Sequence, residues 1–267
     1  MKTTKIKFHM LSKIMPYTHL RLIVMIAFAT MVQFSLTSFH PIFADELLIG
    51  DFSKREIAKG FPSTWEPLLF PNIKRHTRYR LIKENMGIVI QAVSDKAASG
   101  LVYRQRVDPN RFPILKWQWK VEHILKKGDF KQKQGDDYAA RIYVAFAFEP
   151  DKATWGERFR HKSASLFAKE QLPGTALNYI WANKKVPIGT IAPNPYAEET
   201  KMIVVQSGSD RCKQWITQQR NLLEDYRQAF DRNPPKIIAI ALMTDTDNTK
   251  EKAVAFYGDI KLISLGE

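Results

Sequence analysis

The residues best suited to do chemistry lie near the end of the chain, in the stretch Met243–Thr249. Asp245, Asp247 and Asn248 follow an apolar segment that is typical of a buried strand, and a further strand then presents Asp259. Closely spaced carboxylate and amide oxygens are the ligands that calcium prefers, but such side chains also stabilise turns. Three interpretations stay open: a calcium site of Asp245, Asp247 and Asn248, a binding or catalytic site without metal, and a stabilised turn.

A second polar group lies in the middle of the chain. Asp136 and Asp137 precede a predicted strand that runs to Phe148, and Arg141 and Tyr143 fall on the face opposite its apolar one. The group indicates either a binding site or an arginine that pairs with a neighbouring carboxylate. Another predicted strand, 176–183, would add an amide and an aromatic stacking face. The predicted ligand-binding residues are Asp136, Asp137, Arg141, Asn178, Trp181, Asp245 and Asp247.

Missing motifs exclude several enzyme classes. The chain has no Gly-x-Gly-x-x-Gly, no phosphate-binding P-loop, no Gly-x-Ser-x-Gly elbow and no His-Glu-x-x-His. After the first 44 residues only His76, His123 and His161 remain, far apart in sequence, so a multi-histidine zinc site is not expected. The single cysteine, Cys212, permits no internal disulfide. What remains is carboxylate chemistry, with calcium as the one candidate cofactor and these acids as candidate pairs: Asp136, Asp137, Asp245, Asp247 and Asp259.

The first 44 residues have the layout of a secretory signal peptide. Five basic residues and no acidic one accompany the apolar run Leu22–Leu36, and Phe43-Ala44 offers a cleavage point. We therefore expect a periplasmic or secreted protein, with a retained N-terminal anchor as the alternative. Without these five, 36 of the 41 basic residues remain, and against 27 acidic residues they give a net charge of +9. Such a surplus suits a glycan or an anionic envelope polymer, although dispersed surface charge is also common, and no motif indicates a nucleic-acid partner.

Period-two alternation of apolar and polar residues dominates the rest of the chain. In Ile114–His123 the tryptophans Trp117 and Trp119 alternate with charged and amide residues, which predicts that both pack in a core. Helical spacing predicts two helices, Ala153–Leu172 and Trp215–Phe230, and a basic stretch of the first, Arg158–Lys162, could lie on a membrane surface. About eight short strands separated by turns and interrupted by two helices predict a mostly β fold, a jelly-roll β-sandwich, as a single domain over residues 45–267.

Several short motifs follow one another in a specific order along nearly the whole chain after residue 44. They are Trp117-x-Trp119-Lys120-Val121, Gly135-Asp-Asp-Tyr-Ala-Ala-Arg141-Ile-Tyr-Val144, Ala176-Leu-Asn-Tyr-Ile-Trp181, Arg220-Asn221, Asp225-Tyr226, Met243-Thr-Asp-Thr-Asp-Asn-Thr249 and Tyr257-Gly-Asp-Ile260. This series resembles an uncharacterised bacterial family catalogued as domain of unknown function 3047. The resemblance implies exported proteins with a galactose-binding-like β-sandwich, and it implies no activity and no assigned functional residues. Lys250 stands where the family usually has a glycine.

The favoured hypothesis is an exported envelope protein that binds a saccharide or another envelope glycan through a polar cleft. One alternative is a glycoside hydrolase or polysaccharide lyase that uses paired carboxylates. A second alternative is a structural or membrane-surface scaffold, with membrane contact only through an uncleaved leader or the Arg158–Lys162 helix. The sequence does not decide whether the protein is an enzyme.

Overall fold

The computed structural model describes residues 44–152 and 173–266, and within these ranges the chain folds mainly into strands. Alternating apolar residues, many of them β-branched or aromatic, favour this extended structure. The strands are β1 (Glu46–Gly50), β2 (Trp65–Leu68), β3 (Arg78–Glu84), β4 (Gly87–Asp95), β5 (Ala98–Tyr103), β6 (Ile114–Val121), β7 (Arg141–Phe146), β8 (Thr175–Ala182), β9 (Ile191–Pro193), β10 (Thr200–Ser207), β11 (Ile216–Asn221), β12 (Ile237–Asp245) and β13 (Lys252–Ile263). One α-helix in these ranges, α1 (Leu222–Phe230), lies between β11 and β12, and short 3-10 turns occur at Phe52–Lys54, Ile57–Lys59, Lys133–Gly135 and Pro150–Lys152.

The strands form two sheets that pack as a sandwich. A six-stranded sheet has the order β11-β6-β13-β4-β3, with β1 beside the second half of β13. A seven-stranded sheet has the order β2-β5-β12-β7-β8-β10-β9, in which only β8 and β10 run parallel. The connection from β12 to β13 therefore crosses from one sheet to the other. The prediction of a mostly β sandwich is confirmed.

The main core lies between the sheets and follows the alternation of the sequence. Trp117 and Trp119 of β6 point inward with exposures of 1% and 0%, which confirms their predicted packing. Their rings meet edge to face at 5.3 Å, and the ring of Trp119 lies 6.0 Å from that of Trp181 on the opposite sheet. Burial of such large rings contributes much of the stability of a sandwich.

The outer face of the seven-stranded sheet carries a second apolar cluster. The connection between β6 and β7 folds over this face, so that Phe130 and Tyr138 cover Ile180, Met202 and Val204. Strand β8 is consequently buried on both faces along its whole length. The same connection brings the acidic pair at positions 136 and 137 over the sheet.

The helix predicted over Trp215–Phe230 is wrong in its first half. Residues Ile216–Asn221 form an edge strand against β6, and the helix begins only at Leu222. Asn221 ends the strand and caps the helix, because its side-chain oxygen accepts hydrogen bonds from the N–H groups of Leu223 (3.0 Å) and Glu224 (3.4 Å). The helix predicted over Ala153–Leu172 lies outside the described residues. No helix within the described ranges is long and apolar enough to cross a membrane.

Strand directions place six connecting segments at one end of the sandwich, which we call the loop end. The pairings of β12 with β5 and β7, and of β13 with β4 and β6, fix this end at the β12–β13 turn. The remaining pairings add the other segments. The loop end comprises residues 69–77, 96–97, 122–140, 183–190, 208–215 and 246–251.

Candidate functional site

A cavity of about 1120 Å³ lies on the outer face of the seven-stranded sheet. Its walls include the segment Leu68–Ile73 and the loop Asn194–Ala197. Small outward-facing side chains on four neighbouring strands leave room above the sheet, namely Ala98, Ala145, Ala176, Ala239 and Ala241. A cavity of this size with a largely apolar lining and a few polar groups is typical of a site for a small organic ligand.

Arg141 is the central polar residue of the cavity. It opens β7 opposite Met243, so Asp245, two residues further along β12, lies beside its side chain. Its Nη2 donates to Asp245 Oδ2 at 2.5 Å, and its Nη1 lies 3.9 Å from Asp136 Oδ2. The guanidinium carbon lies 5.1 Å from the ring centre of Tyr138 and 5.2 Å from that of Tyr143. Paired acids and aromatic faces together allow a full charge to be buried here.

Asp136 links the connection between β6 and β7 to the Asn194 loop. Its Oδ1 accepts from the hydroxyl of Tyr138 at 2.9 Å, and its Oδ2 accepts from the side-chain amide of Asn194 at 3.2 Å. The oxygen of Asn194 in turn accepts from the backbone N–H groups of Tyr196 and Ala197, which holds the loop in place. This chain of bonds fixes one wall of the cavity.

Asp137 organises the turn between β12 and β13. Its carboxylate accepts from the backbone N–H of Asn248 at 3.3 Å and from that of Thr249 at 2.6 Å. The Asn248 side chain donates to Asp137 at 3.2 Å and accepts from the hydroxyl of Tyr196 at 2.7 Å. Turn stabilisation, one of the three interpretations of this stretch, is therefore part of what the polar residues do.

The acidic side chains around Arg141 form a tight cluster. One oxygen from each of Asp137, Asp245 and Asp247 lies within 4.8 Å of the others. Burial raises the pKa of Asp245 well above its ordinary range; the charge of Arg141 opposes this rise, and that of Asp137 adds to it. Burial also raises the pKa of the half-buried Asp247, again with a contribution from Asp137. Such carboxyl groups retain protons to a higher pH and can then donate hydrogen bonds.

The aromatic and guanidinium groups of the cavity keep their usual protonation. Burial lowers the pKa of Arg141, but the surrounding Asp245 and other acidic groups outweigh this effect and raise it, so the side chain stays charged. Burial raises the pKa of Tyr138 and Tyr143, so both hydroxyl groups stay protonated. The cavity therefore presents a permanent cation beside carboxyl groups of adjustable charge.

A metal ion would have to use the acidic cluster, because Asp137, Asp245 and Asp247 are the set of described residues with suitable spacing. Two of them belong to the predicted calcium trio, whose third member, Asn248, directs its oxygen to Tyr196 instead. The oxygens of Asp137 already accept backbone N–H groups, and Asp245 is paired with Arg141. Two of the three carboxylates thus already have partners in the protein, and a calcium site stays a prediction from the sequence.

Buried polar atoms without a partner are the main anomaly of the site. Among the described residues, the Nε and Nη1 atoms of Arg141 make no hydrogen bond, and neither does the oxygen or the nitrogen of the Asn178 amide. Asn178 is fully buried on β8, in register with Tyr143 and Met202. Leaving a buried polar group unpaired costs about 1–3 kcal/mol. Arg141 lines the cavity, so a molecule bound there could supply partners to its guanidinium, whereas Asn178 is not a lining residue.

The structure brings together six of the seven predicted ligand-binding residues. Four of them line the cavity: Asp136, Arg141, Asp245 and Asp247. Asp137 binds the backbone of the turn that carries Asn248, and Asn178 lies beside Tyr143.

Trp181 is the correction to the predicted set. Alternation along β8 turns it inward with Leu177 and Tyr179, where it is fully buried and donates its ring N–H to the carbonyl of Gly208 at 3.0 Å. It offers no face to a ligand. Asp259 is also remote, because it lies on the other sheet and accepts from Ser53 N at 2.8 Å.

Three residues of the site were missed or undervalued in the sequence. Asn194 and Tyr196 lie in a proline-rich loop without periodicity, which gave no signal for either. Tyr143 was placed on the correct face but was not assigned to the site. In the structure Tyr196 is 54% exposed and lines the cavity together with Tyr143.

Comparison with known proteins gives a family but no activity. The family model described as "Protein of unknown function (DUF3047)" matches residues 63–261, which confirms the resemblance noted in the sequence. The chain matches no curated protein. Among solved structures it is similar to the family 11 xylanase from Neocallimastix patriciarum (7% identity, 83% of this chain and 97% of that chain, TM-score 0.27) and to a loop-swap mutant of Xyn11A from that organism (8% identity, the same coverage, TM-score 0.27).

Proposed function

This chain belongs to the DUF3047 family of proteins of unknown function, and we propose from its own site that it binds a saccharide in the cavity around Arg141. The observation that carries the proposal is the buried guanidinium of Arg141, whose Nε and Nη1 make no hydrogen bond, at the polar end of a largely apolar cavity. Sugar hydroxyl groups can accept hydrogen bonds from these donors and donate to the neighbouring carboxylates.

The mixture of side chains suits a ligand rich in hydroxyl groups. Asp136 and Asp247 offer acceptors or, when protonated, donors, and Asn194 adds an amide. The five alanines that line the sheet side of the cavity, which we call the alanine floor, can contact the C–H face of a sugar ring, since their side chains leave space and carry no polar atoms. Tyr143 and Tyr196 would supply the aromatic wall in place of Trp181.

A calorimetric titration against a panel of neutral, amino and acidic saccharides tests the proposal. We expect binding that is lost in Asp247→Asn and in Tyr196→Ala. Asp231→Asn is the matched control, because this exposed residue has a left-handed backbone at the end of α1, where asparagine fits equally well. Absence of binding across the panel, or binding that is indifferent to both cavity variants, would overturn the proposal.

A second candidate is hydrolysis of the bound glycan. Burial raises the pKa of both Asp245 and Asp247, and one oxygen of each lies within 4.8 Å of the other. The two carboxyl groups are thus neighbours, as are those of retaining glycoside hydrolases, which stand about 5–5.5 Å apart. The test is release of reducing ends or unsaturated products from a saccharide that binds. Product formation that disappears in Asp247→Asn would favour an enzyme, and binding without product would favour a binding protein.

We also propose that the protein is exported, as the basic and apolar leader over residues 1–44 predicts. The leader lies outside the described residues, and so does the Arg158–Lys162 stretch on which the membrane-surface alternative depends. N-terminal sequencing of the protein from a periplasmic fraction tests the location. A mature chain that begins close to Asp45 is the expected result, and an intact Met1 in a membrane fraction would favour an anchor.

A further inference from the structure

Four lysines converge at the loop end around Glu251. The Glu251 carboxylate accepts from the backbone N–H groups of Lys126 (3.1 Å) and Lys127 (2.8 Å), and its carbonyl accepts from the N–H of Lys96 (3.0 Å). Lys250 precedes it in the chain. We call these residues, Lys96, Lys126, Lys127 and Lys250, the lysine cluster. All four are exposed, so three separate connections contribute positive charge to one surface.

The lysine cluster differs from the neighbouring lysines in its ion pairing. Within the described ranges no ion pair involves any of its four ammonium groups, whereas the nearby Lys184, Lys185 and Lys252 pair with Asp129, Asp210 and Asp95. The Glu251 carboxylate, which accepts the two backbone N–H groups, offsets one of the four positive charges and leaves a surplus of three. The cluster therefore presents an open positive surface that attracts anions.

Two members of the cluster occupy backbone conformations that favour glycine. Lys96 has φ of 51° and Lys250 has φ of 60°, and Lys213, also at the loop end, has φ of 64°. A left-handed conformation costs a residue with a side chain roughly 1–2 kcal/mol relative to the right-handed one. Lysine at such positions maintains charge at the expense of backbone strain, which is a frequent property of functional segments.

The lysine cluster is continuous with the cavity. Asp247 and Asn248 line the cavity and Lys250 follows two residues later in the same turn. Burial raises the pKa of Asp247, and Lys250 is close enough for its charge to oppose that rise. We propose that the ligand is part of an anionic polysaccharide, with one sugar unit in the cavity and the acidic groups of adjoining units on the lysine cluster.

This inference rests on the proposed saccharide binding and adds the class of ligand. Continuity with the cavity favours a polymer over a membrane, because a chain of sugars can occupy both surfaces at once. Among the described residues, the large apolar side chains exposed at the loop end are Ile188 (57% exposed) and Leu69 (53%), which lie singly on different connections. They do not form the apolar face with which proteins insert into lipid.

The test compares binding of polygalacturonate, alginate and hyaluronate with binding of dextran, which is neutral, and of vesicles that contain phosphatidylglycerol. We expect at least one acidic polymer to bind, with an affinity that falls steeply as salt is added. The variant Lys96→Gly/Lys250→Gly should weaken that binding by about tenfold or more, and it should stay folded, since glycine suits both left-handed positions. The matched control, Lys54→Gln/Lys83→Gln, removes the same charge from exposed positions away from the loop end.

The outcomes separate failure of the anionic-polysaccharide inference from failure of the proposed saccharide binding. If small saccharides bind in the cavity but acidic polymers bind no tighter than dextran, the inference fails and the proposed function stands. If an acidic polymer binds through the lysines but is indifferent to Asp247→Asn, the cavity is not involved and the proposed function fails. Equal losses in the cluster variant and its control, or vesicle binding without polymer binding, would overturn the inference.

Discussion

Replacement of Asp247 by asparagine should stabilise the protein while abolishing its binding of saccharide. Within the described part of the chain, the Asp247 carboxylate accepts no hydrogen bond from another residue, and it lies within 4.8 Å of both Asp137 and Asp245. Asparagine has the same shape and no charge. The substitution therefore removes electrostatic repulsion without leaving a cavity or an orphaned partner.

The size of this effect follows from the separation of the carboxylates. Two unit charges at 4.8 Å repel by about 3.5 kcal/mol at an effective dielectric constant of about 20. Asp247 is half-buried, so screening by solvent reduces the expected gain to about 1 kcal/mol at neutral pH. For a domain of this size, about 1 kcal/mol corresponds to an increase in Tm of about 2–4 °C.

The gain should depend on pH in a defined direction. Because the pKa of Asp247 is raised by folding, the folded protein binds its proton more tightly than the unfolded chain. The wild-type protein thus loses stability as pH rises from about 4, the ordinary aspartate pKa, through the raised pKa. Asp247→Asn should lack this part of the loss, so the two proteins should have similar stability in acid and diverge toward neutrality.

Thermal unfolding from pH 3.5 to 8, monitored by circular dichroism, measures the difference. The expected result is a Tm difference that grows as pH rises and then becomes constant. A lower Tm for Asp247→Asn at neutral pH would refute the reasoning, because it would show that the carboxylate is a structural partner. Asp231→Asn should show no pH-dependent difference of this kind.

Three further substitutions test other parts of the structure. Arg141→Met should destabilise the protein by about 3–5 kcal/mol in urea unfolding, because it strands the buried Asp245, and a smaller loss would show that the pair is not buried as described. Trp181→Phe should lower stability by about 1–3 kcal/mol but leave saccharide affinity unchanged within about twofold, whereas an affinity loss would return Trp181 to the site. Lys250→Gly should maintain or raise Tm, since φ is 60° there, and a fall of several degrees would contradict the assigned backbone.

The position of several strands could be predicted from the sequence, because the alternation of apolar and polar residues follows the burial of their side chains. β6 reads as a half-buried strand and is one, and the continuous apolar run of β12 correctly indicates a central position between β5 and β7. The edge strand β11 was hidden because Ile216–Asn221 precedes a genuine helix whose apolar stripe extends the helical pattern backward. Short strands such as β9 carry too few residues for any period to be visible.

The candidate site was only partly accessible for a related reason. Asp136, Arg141 and Asp245 could be named because polar residues at strand ends stand out against apolar runs. Asn178 and Trp181 were both predicted for the site although alternation places them on opposite faces of β8, and the burial of both faces hides which one points outward. The Asn194 loop reaches the site through tertiary contacts with Asp136, which no local pattern encodes.

The ion pair between Arg220 and Asp225 shows that a wrongly predicted helix also gives wrong side-chain contacts. On a continuous helix over Trp215–Phe230, these two residues would be five positions apart and therefore poor neighbours. Because Arg220 is the second-last residue of β11 and Asp225 lies in the first turn of α1, the chain bends between them, and Arg220 Nε donates to Asp225 Oδ2 at 2.9 Å. The hydroxyl of Tyr179 donates to the same carboxylate at 2.8 Å, which ties the helix to the seven-stranded sheet.

The most direct test of saccharide binding is a crystal structure of the protein with the tightest-binding member of the saccharide panel. The proposal predicts that a sugar oxygen lies within hydrogen-bonding distance of Nε or Nη1 of Arg141, with the ring over the alanine floor. A saccharide bound on the six-stranded sheet would contradict the proposal. So would a saccharide bound elsewhere on the protein while Nε and Nη1 of Arg141 still make no hydrogen bond.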